Sequence, residues 1–150
     1  MIYTTLNKIR ACSPCESGWT KLLKHLGKTS ADNDLLPFSV ILESNGLEDA
    51  SWCCRSAPEY AKEWRLFAVW CARQVQHLMT DKRSIDALDV ADRFANGEAT
   101  QQELDAALAA AWATVLAVAG GTAGAAALGT AWGTAARDAQ KVEFLRVVNQ

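Results

Sequence analysis

The stretch Glu59–Met79 constrains the fold more than any other part of the chain. It reads EYAKEWRLFAVWCARQVQHLM, and at about 100° per residue its large apolar side chains fall on one broad face. A second apolar stripe leaves only a narrow polar arc for water. The broad face comprises Tyr60, Trp64, Phe67, Cys71, Val75 and Leu78, and the second stripe begins with Leu66 and Trp70. The pattern therefore predicts a central helix that packs on at least two sides.

Short motifs mark helix boundaries elsewhere in the chain. Ser13–Glu16 and Thr100–Glu103 both match the capping box, in which a hydroxyl and a carboxylate satisfy two backbone N–H groups at a helix start. Asn45-Gly46 and Asn96-Gly97 are typical of helix ends, as is Gly27. No segment alternates with period two over more than a few residues. We therefore predict an all-α, single-domain bundle of about six or seven helices over residues 1–150, around a central helix at about 59–79.

Length and charge limit the domain count and the class of partner. The chain has 150 residues, and half of them are hydrophobic. This is enough for one well-buried core, but the chain is short for two domains. The 15 basic residues nearly balance the 17 acidic ones, and the sequence pI is about 5.7. Non-specific nucleic-acid binding requires a broad basic surface, so we expect no direct contact with DNA or RNA.

The cysteines point to a reducing compartment. Their number, five, is odd, and the N-terminal sequence MIYTTLNKIRACS has no apolar signal-peptide core. We therefore expect a protein of the host-cell cytoplasm. Cys12-Ser-Pro-Cys15 has the spacing of a thioredoxin-like redox pair or of half a zinc site. A redox pair would need a βαβ unit, and a zinc site would need another pair of ligands. We therefore interpret these residues as packing cysteines and expect no metal and no cofactor.

Catalytic motifs are missing from the sequence. His25 and His77, the two histidines, each lie on a predicted helix beside apolar residues, a placement more typical of structural histidines than of general bases. The segment Gly120–Gly124 is glycine-rich but lacks the lysine and the preceding strand of a phosphate-binding loop. The sequence therefore predicts a protein that is not an enzyme.

Residues 106–136 carry no charged side chain. The run is long enough to cross a bilayer, but alanine, glycine and threonine dominate it and Gly120-Gly121 interrupts it. Small residues spaced by four favour close helix packing, within the chain or across a homodimer. The residues predicted to form this helix-packing or dimer surface are Gly120, Gly124, Gly129, Gly133, Trp112 and Trp132.

One polar feature is a candidate partner-binding surface. Asp86, Asp89 and Asp92 lie on one stripe of the predicted helix Ser84–Asn96, with Asp81 nearby. Carboxylates at this spacing can meet a basic partner. The alternative is a solvated helix face in which Asp89 pairs with Arg93 one turn later.

Residues 70–113 contain two motifs that resemble those of other helical proteins. They read WCARQVQHLMTDKRSIDALDVADRFANGEATQQELDAALAAAWA, with a QHLM-x-D-x-R-S turn at Gln76–Ser84 and an A-x-x-x-A-x-R-x-A-x-G-E-A helix end at Ala87–Ala99. In these motifs, and in SPCESGWTKLLKHLGKT at residues 13–29, the chain resembles Ala- and Trp-rich helical proteins of phages, prophages and their hosts, some labelled immunity proteins. It departs from them in the tail, VAGGTAGAAALGTAWGT at 118–134.

The resemblance implies an accessory protein of a mobile element. It predicts a non-enzymatic inhibitor that binds a host defence complex stoichiometrically, with an anti-CRISPR protein directed at a CRISPR effector as the most concrete form. A bacterial immunity protein that neutralises a cognate toxin is the alternative. A small membrane-associated protein is the third interpretation, although the composition of residues 106–136 argues against membrane contact.

Overall fold

The fold is known from a computed structural model that describes residues 1–74, 76–118 and 134–150. These residues confirm the all-α class. The N-terminal elements are β1 (Tyr3–Thr4), α1 (Leu6–Ala11), α2 (Glu16–Leu26), β2 (Leu36–Pro37), α3 (Phe38–Asn45) and α4 (Leu47–Cys53). They are followed by α5 (Ala61–Gln74), α6 (Lys82–Ala95), α7 (Gln101–Val118) and α8 (Thr134–Val148).

The chain divides into two compact units. The first comprises Met1–Ala61 with Gln140–Gln150, and the second comprises Lys62–Ala139. The first unit is thus built from two separate parts of the sequence. A single helical domain over residues 1–150 stays a prediction.

The first unit is held together by a core that joins its two chain segments. Phe38 at the start of α3 and Phe144 in α8 are both fully buried, and their rings meet edge to face with centroids 6.4 Å apart. The backbone N–H of Ile2 donates to the carbonyl of Val148 at 2.7 Å. The strands β1 and β2 pair antiparallel, with Thr4 opposite Leu36. Each strand has two residues, too few to produce a period-two pattern in the sequence.

The start of α2 differs from the predicted capping box. Ser13 adopts a positive φ of 56°, so its hydroxyl does not cap the helix. Cys15 is the N-cap instead, and its Sγ accepts from the N–H of Gly18 at 3.4 Å. A thiol can replace a hydroxyl here because the N-cap needs only an acceptor near the third amide. The predicted end is confirmed: Gly27 is left-handed, with φ 65°, a conformation that glycine adopts without steric cost.

The predicted helix Glu59–Met79 is present in a shorter form. Pro58–Tyr60 forms a 3-10 turn, α5 covers Ala61–Gln74, and Gln76–Leu78 forms a second 3-10 turn. Such tighter turns are frequent at helix ends, where the regular i to i−4 pairing runs out. Phe67 on the predicted face is buried, whereas the buried Val69 lies outside both predicted stripes.

In the second unit α6 and α7 pack against each other, and the capping box between them is confirmed. The Thr100 hydroxyl accepts from the N–H of Glu103 at 3.2 Å, while the Glu103 carboxylate accepts from the N–H of Thr100 at 2.7 Å. This backbone hydrogen bond, more than any other contact, lowers the pKa of Glu103 below its ordinary value of 4.5.

Replacing Thr100 with alanine is expected to lower the free energy of unfolding by about 1 kcal/mol, because the first turn of α7 loses a cap. Urea denaturation of Thr100→Ala measures this loss, with the exposed Thr80→Ala as the matched control. The pKa of Glu103 is lower in the folded state than its ordinary value of 4.5. The ionised carboxylate therefore stabilises the fold above pH 4.5, and this stabilisation is lost as the pH falls through the folded-state pKa. A difference between Glu103→Gln and wild type that does not shrink in acid would contradict the reciprocal box.

Within the described residues, none of the helices combines the length and apolarity that crossing a bilayer requires.

Candidate functional site

The predicted acidic stripe lies on the exposed side of α6. The side chains of Asp86, Asp89 and Asp92 are 51%, 57% and 42% exposed. The opposite side of the helix is apolar, and Ala87 and Ala95 are buried there. The amphipathic pattern read from the sequence therefore orients the three carboxylates as predicted.

Each carboxylate of the stripe has a cationic neighbour within the second unit. Lys82 Nζ lies 2.8 Å from both carboxylate oxygens of Asp86, one turn along α6, and this hydrogen bond raises the pKa of the lysine. Arg73 of α5 donates to Asp89 at 2.7 Å and lies 3.6 Å from Asp92. The stripe is thus a row of ion pairs rather than a field of one sign.

The anticipated pairing of Asp89 with Arg93 does not occur. Arg93 lies 3.7 Å from Glu103 at the start of α7, whereas Asp89 is bound by Arg73. The packing of α6 with α7 brings the Glu103 carboxylate within reach of Arg93, and the sequence alone does not show this geometry. Tertiary packing has therefore replaced an i, i+4 pair worth only about 0.5 kcal/mol in an isolated helix.

Asp81 has a local structural role. It is the N-cap of α6, and its carboxylate accepts from the N–H of Arg83 at 3.4 Å. At 27% exposure it is the least accessible of the four predicted aspartates. Its position at the helix start separates it from the exposed stripe, so the accessible surface consists of Asp86, Asp89 and Asp92.

The predicted helix-packing or dimer surface lies largely outside the described residues. This applies to Gly120, Gly124, Gly129, Gly133 and Trp132. Trp112 lies in α7, and its side chain falls outside the described part as well. The homodimer stays a prediction.

The first unit contains a pocket that the sequence did not predict. It encloses about 170 Å³ between α1, α2, α3 and α4, and its lining is mainly apolar. Ile9, Leu22 and Ile41 are almost fully buried and form its inner surface. Asn45 and Asp49 line it as well, yet the sequence marks Asn45 only as a helix end and gives no signal for Asp49. The pocket forms where four short helices pack together, and no local sequence pattern predicts how those helices pack.

Two tryptophans line this pocket, and an arginine covers each ring. The guanidinium of Arg10 lies 5.4 Å from the ring centroid of Trp19, and that of Arg55 lies 4.3 Å from that of Trp52. Arg55 also donates to the carbonyl of Trp52 at 2.9 Å. Cation–π contacts of this kind favour the observed orientation of the indole rings.

Two adjacent thiols at the end of α4, those of Cys53 and Cys54, are chemically quiet. All five cysteines are thiols rather than disulfides. Burial, with a smaller contribution from Asp49, raises the pKa of Cys53 to about 12, and burial raises the pKa of Cys54 to about 12. Both are therefore neutral at physiological pH and poor nucleophiles. In the described part of the chain, no three His, Cys, Asp or Glu side chains are grouped as a metal site.

Comparison with known proteins gives no relative: no protein-family model, no curated protein and no solved structure matches the chain. The likeness to phage and prophage proteins stays a prediction from the sequence motifs.

Proposed function

We propose that the protein is a non-enzymatic inhibitor of a host defence complex, encoded by a phage or another mobile element and acting in the host cytoplasm by stoichiometric binding. An anti-CRISPR protein directed at a CRISPR effector is its most concrete form. The observation that supports a binding role best is the row of exposed carboxylates on α6, Asp86, Asp89 and Asp92. CRISPR effectors hold nucleic acid in positively charged channels, and carboxylates complement such surfaces.

The ion pairs on α6 do not prevent this role. Exposed pairs contribute little to stability, typically about 0–1 kcal/mol, because water solvates both partners well. An arginine or lysine of a partner can therefore replace Lys82, whose side chain is 83% exposed, beside Asp86 at little cost. Asp89 and Asp92 are 57% and 42% exposed, and a carboxylate can accept a second donor while Arg73 stays in place. Opposite charge speeds the encounter and selects the partner, while the affinity comes mainly from buried contacts.

The proposal is tested by expressing the protein in a bacterium whose CRISPR system targets a phage. Plaque formation by the targeted phage should be restored, and an affinity-tagged copy should recover a subunit of the effector in a fixed ratio. Recovery of a toxin without rescue of the phage would favour the immunity-protein alternative. The proposal would be contradicted if the phage were not rescued and no defence component were recovered.

The role of the stripe is tested by neutralising it. The variant Asp86→Asn, Asp89→Asn, Asp92→Asn should associate with the recovered subunit about tenfold more slowly at low salt, because electrostatic steering is lost. Surface plasmon resonance at two salt concentrations measures the association rate, and circular dichroism checks the helices.

The matched control removes the same charge elsewhere, through Glu43→Gln, Glu98→Gln and Asp105→Asn, which are all exposed. Equal association rates for the two triple variants would show that α6 presents only a solvated face.

A further inference from the structure

The pocket of the first unit has the size of a single side chain. Pockets for cofactors and drug-sized ligands usually occupy about 300–1,000 Å³, whereas a cavity of about 150 Å³ accepts a molecule such as benzene. At about 170 Å³, this pocket matches the second class. A group that fits it is therefore aliphatic or aromatic and about the size of a leucine side chain.

The lining indicates that the occupant belongs to a protein. Trp19 and Trp52 line the pocket as rigid aromatic walls, and tryptophan is among the residues enriched at the energetic centres of protein interfaces. The inner surface is formed by buried aliphatic side chains, so an entering apolar group meets an apolar surface. An anchor residue surrounded by other contacts is the usual way in which a protein partner uses such a pocket.

Asp49 gives the pocket a charge preference. Its Oδ2 accepts from Asn45 Nδ2 at 2.7 Å, and the same amide donates to the carbonyl of Gly18 at 2.9 Å. Gly18 permits this arrangement, because a Cβ there would lie 2.9 Å from Asp49 Oδ2. Among the described residues, no lysine or arginine pairs with the Asp49 carboxylate. Arg10 and Arg55 cover the tryptophan rings and are not among the lining residues.

We propose that this pocket docks a protein partner through one apolar side chain flanked in the partner's sequence by lysine or arginine, with the basic group bound by Asp49. A half-buried carboxylate that accepts from a neutral amide alone has capacity for a charge-assisted hydrogen bond. The inference concerns the first unit only and does not rest on the aspartates of α6.

The test uses protein labelled with 5-fluorotryptophan and three capped peptides. The six tryptophans give separate fluorine signals, and Trp19→Phe and Trp52→Phe assign the two that line the pocket. The probe is acetyl-Lys-Leu-Lys-amide, titrated to about 10 mM because one anchor binds weakly. Acetyl-Glu-Leu-Glu-amide changes only the charge, and acetyl-Lys-Ala-Lys-amide changes only the anchor.

The signals of Trp19 and Trp52 should move with the Lys-Leu-Lys peptide, and each comparison peptide should bind about tenfold more weakly. Asp49→Asn keeps an acceptor for Asn45 and should remove the preference for lysine over glutamate while keeping that for leucine over alanine. Equal binding of the two leucine peptides to wild type would overturn the charge preference and leave a site for a neutral ligand. Signals that do not move with any peptide would overturn the docking site altogether. No defence component is present, so either failure leaves the proposed function standing.

Discussion

Replacing Phe144 with alanine is expected to lower the free energy of unfolding of the first unit by about 3–5 kcal/mol. The ring is fully buried and meets the ring of Phe38 edge to face, so its loss removes apolar burial, an aromatic contact and a filled volume together. Guanidinium denaturation followed by circular dichroism measures the change. A loss of this size is a large part of the stability of an ordinary domain.

Val142→Ala is the matched control on the same helix. Val142 is 69% exposed, so its truncation should change the free energy of unfolding by less than about 0.5 kcal/mol. The pair of variants separates the loss of core packing from any change in helix propensity. If Phe144→Ala cost as little as Val142→Ala, residues 140–150 would not complete the core of the first unit.

The second large effect is expected at a buried pair of hydroxyls. Thr4 Oγ1 and Ser56 Oγ are 2.8 Å apart, and Ser56 Oγ donates its hydrogen to the carbonyl of Cys53 at 2.7 Å. A hydroxyl has one hydrogen, so Ser56 Oγ accepts from Thr4 Oγ1, whose other acceptor, the carbonyl of Ser56, lies farther away at 3.5 Å. Thr4→Val leaves a buried oxygen without its donor and should lower the free energy of unfolding by about 1–3 kcal/mol.

A double-mutant cycle with Ser56→Ala tests the assignment. The double variant should lose less stability than the sum of the two single variants, because no hydroxyl is then left with a missing partner. The free energies come from urea denaturation, and the exposed Thr29→Val serves as the control for the change of residue type. Strictly additive losses would indicate that the two hydroxyls do not depend on each other.

Local signals in the sequence predicted those parts of the fold that depend on local interactions. The capping box at Thr100 and the helix end at Gly27 require only neighbouring residues, and both are present. Ser13 shows the limit of such motifs. Two acceptors, Ser13 and Cys15, compete for the start of α2, and the chain uses the cysteine. The motif alone does not decide between them.

In the candidate sites, too, the sequence predicted what depends on one helix and did not predict what depends on the packing of several. The exposed positions of Asp86, Asp89 and Asp92 follow from the period of one helix, and the sequence predicted them. Their partner Arg73 lies on another helix, so no local pattern in the sequence pairs it with them. The pocket beside Asp49 needs the meeting of four helices and had no sequence signal at all.

The split of the first unit has a consequence for biosynthesis. Its early segment, Met1–Ala61, is synthesised before residues 62–139, and Phe144 follows only after them. Phe144 follows Phe38 by 106 residues, so at about 5–20 residues per second the core around Phe38 waits roughly 5–21 s for its partner ring. Throughout that interval the part of the first unit already made leaves uncovered the apolar surface that Phe144 buries in the folded protein. Translation speed through residues 62–139 therefore sets how long that surface stays uncovered.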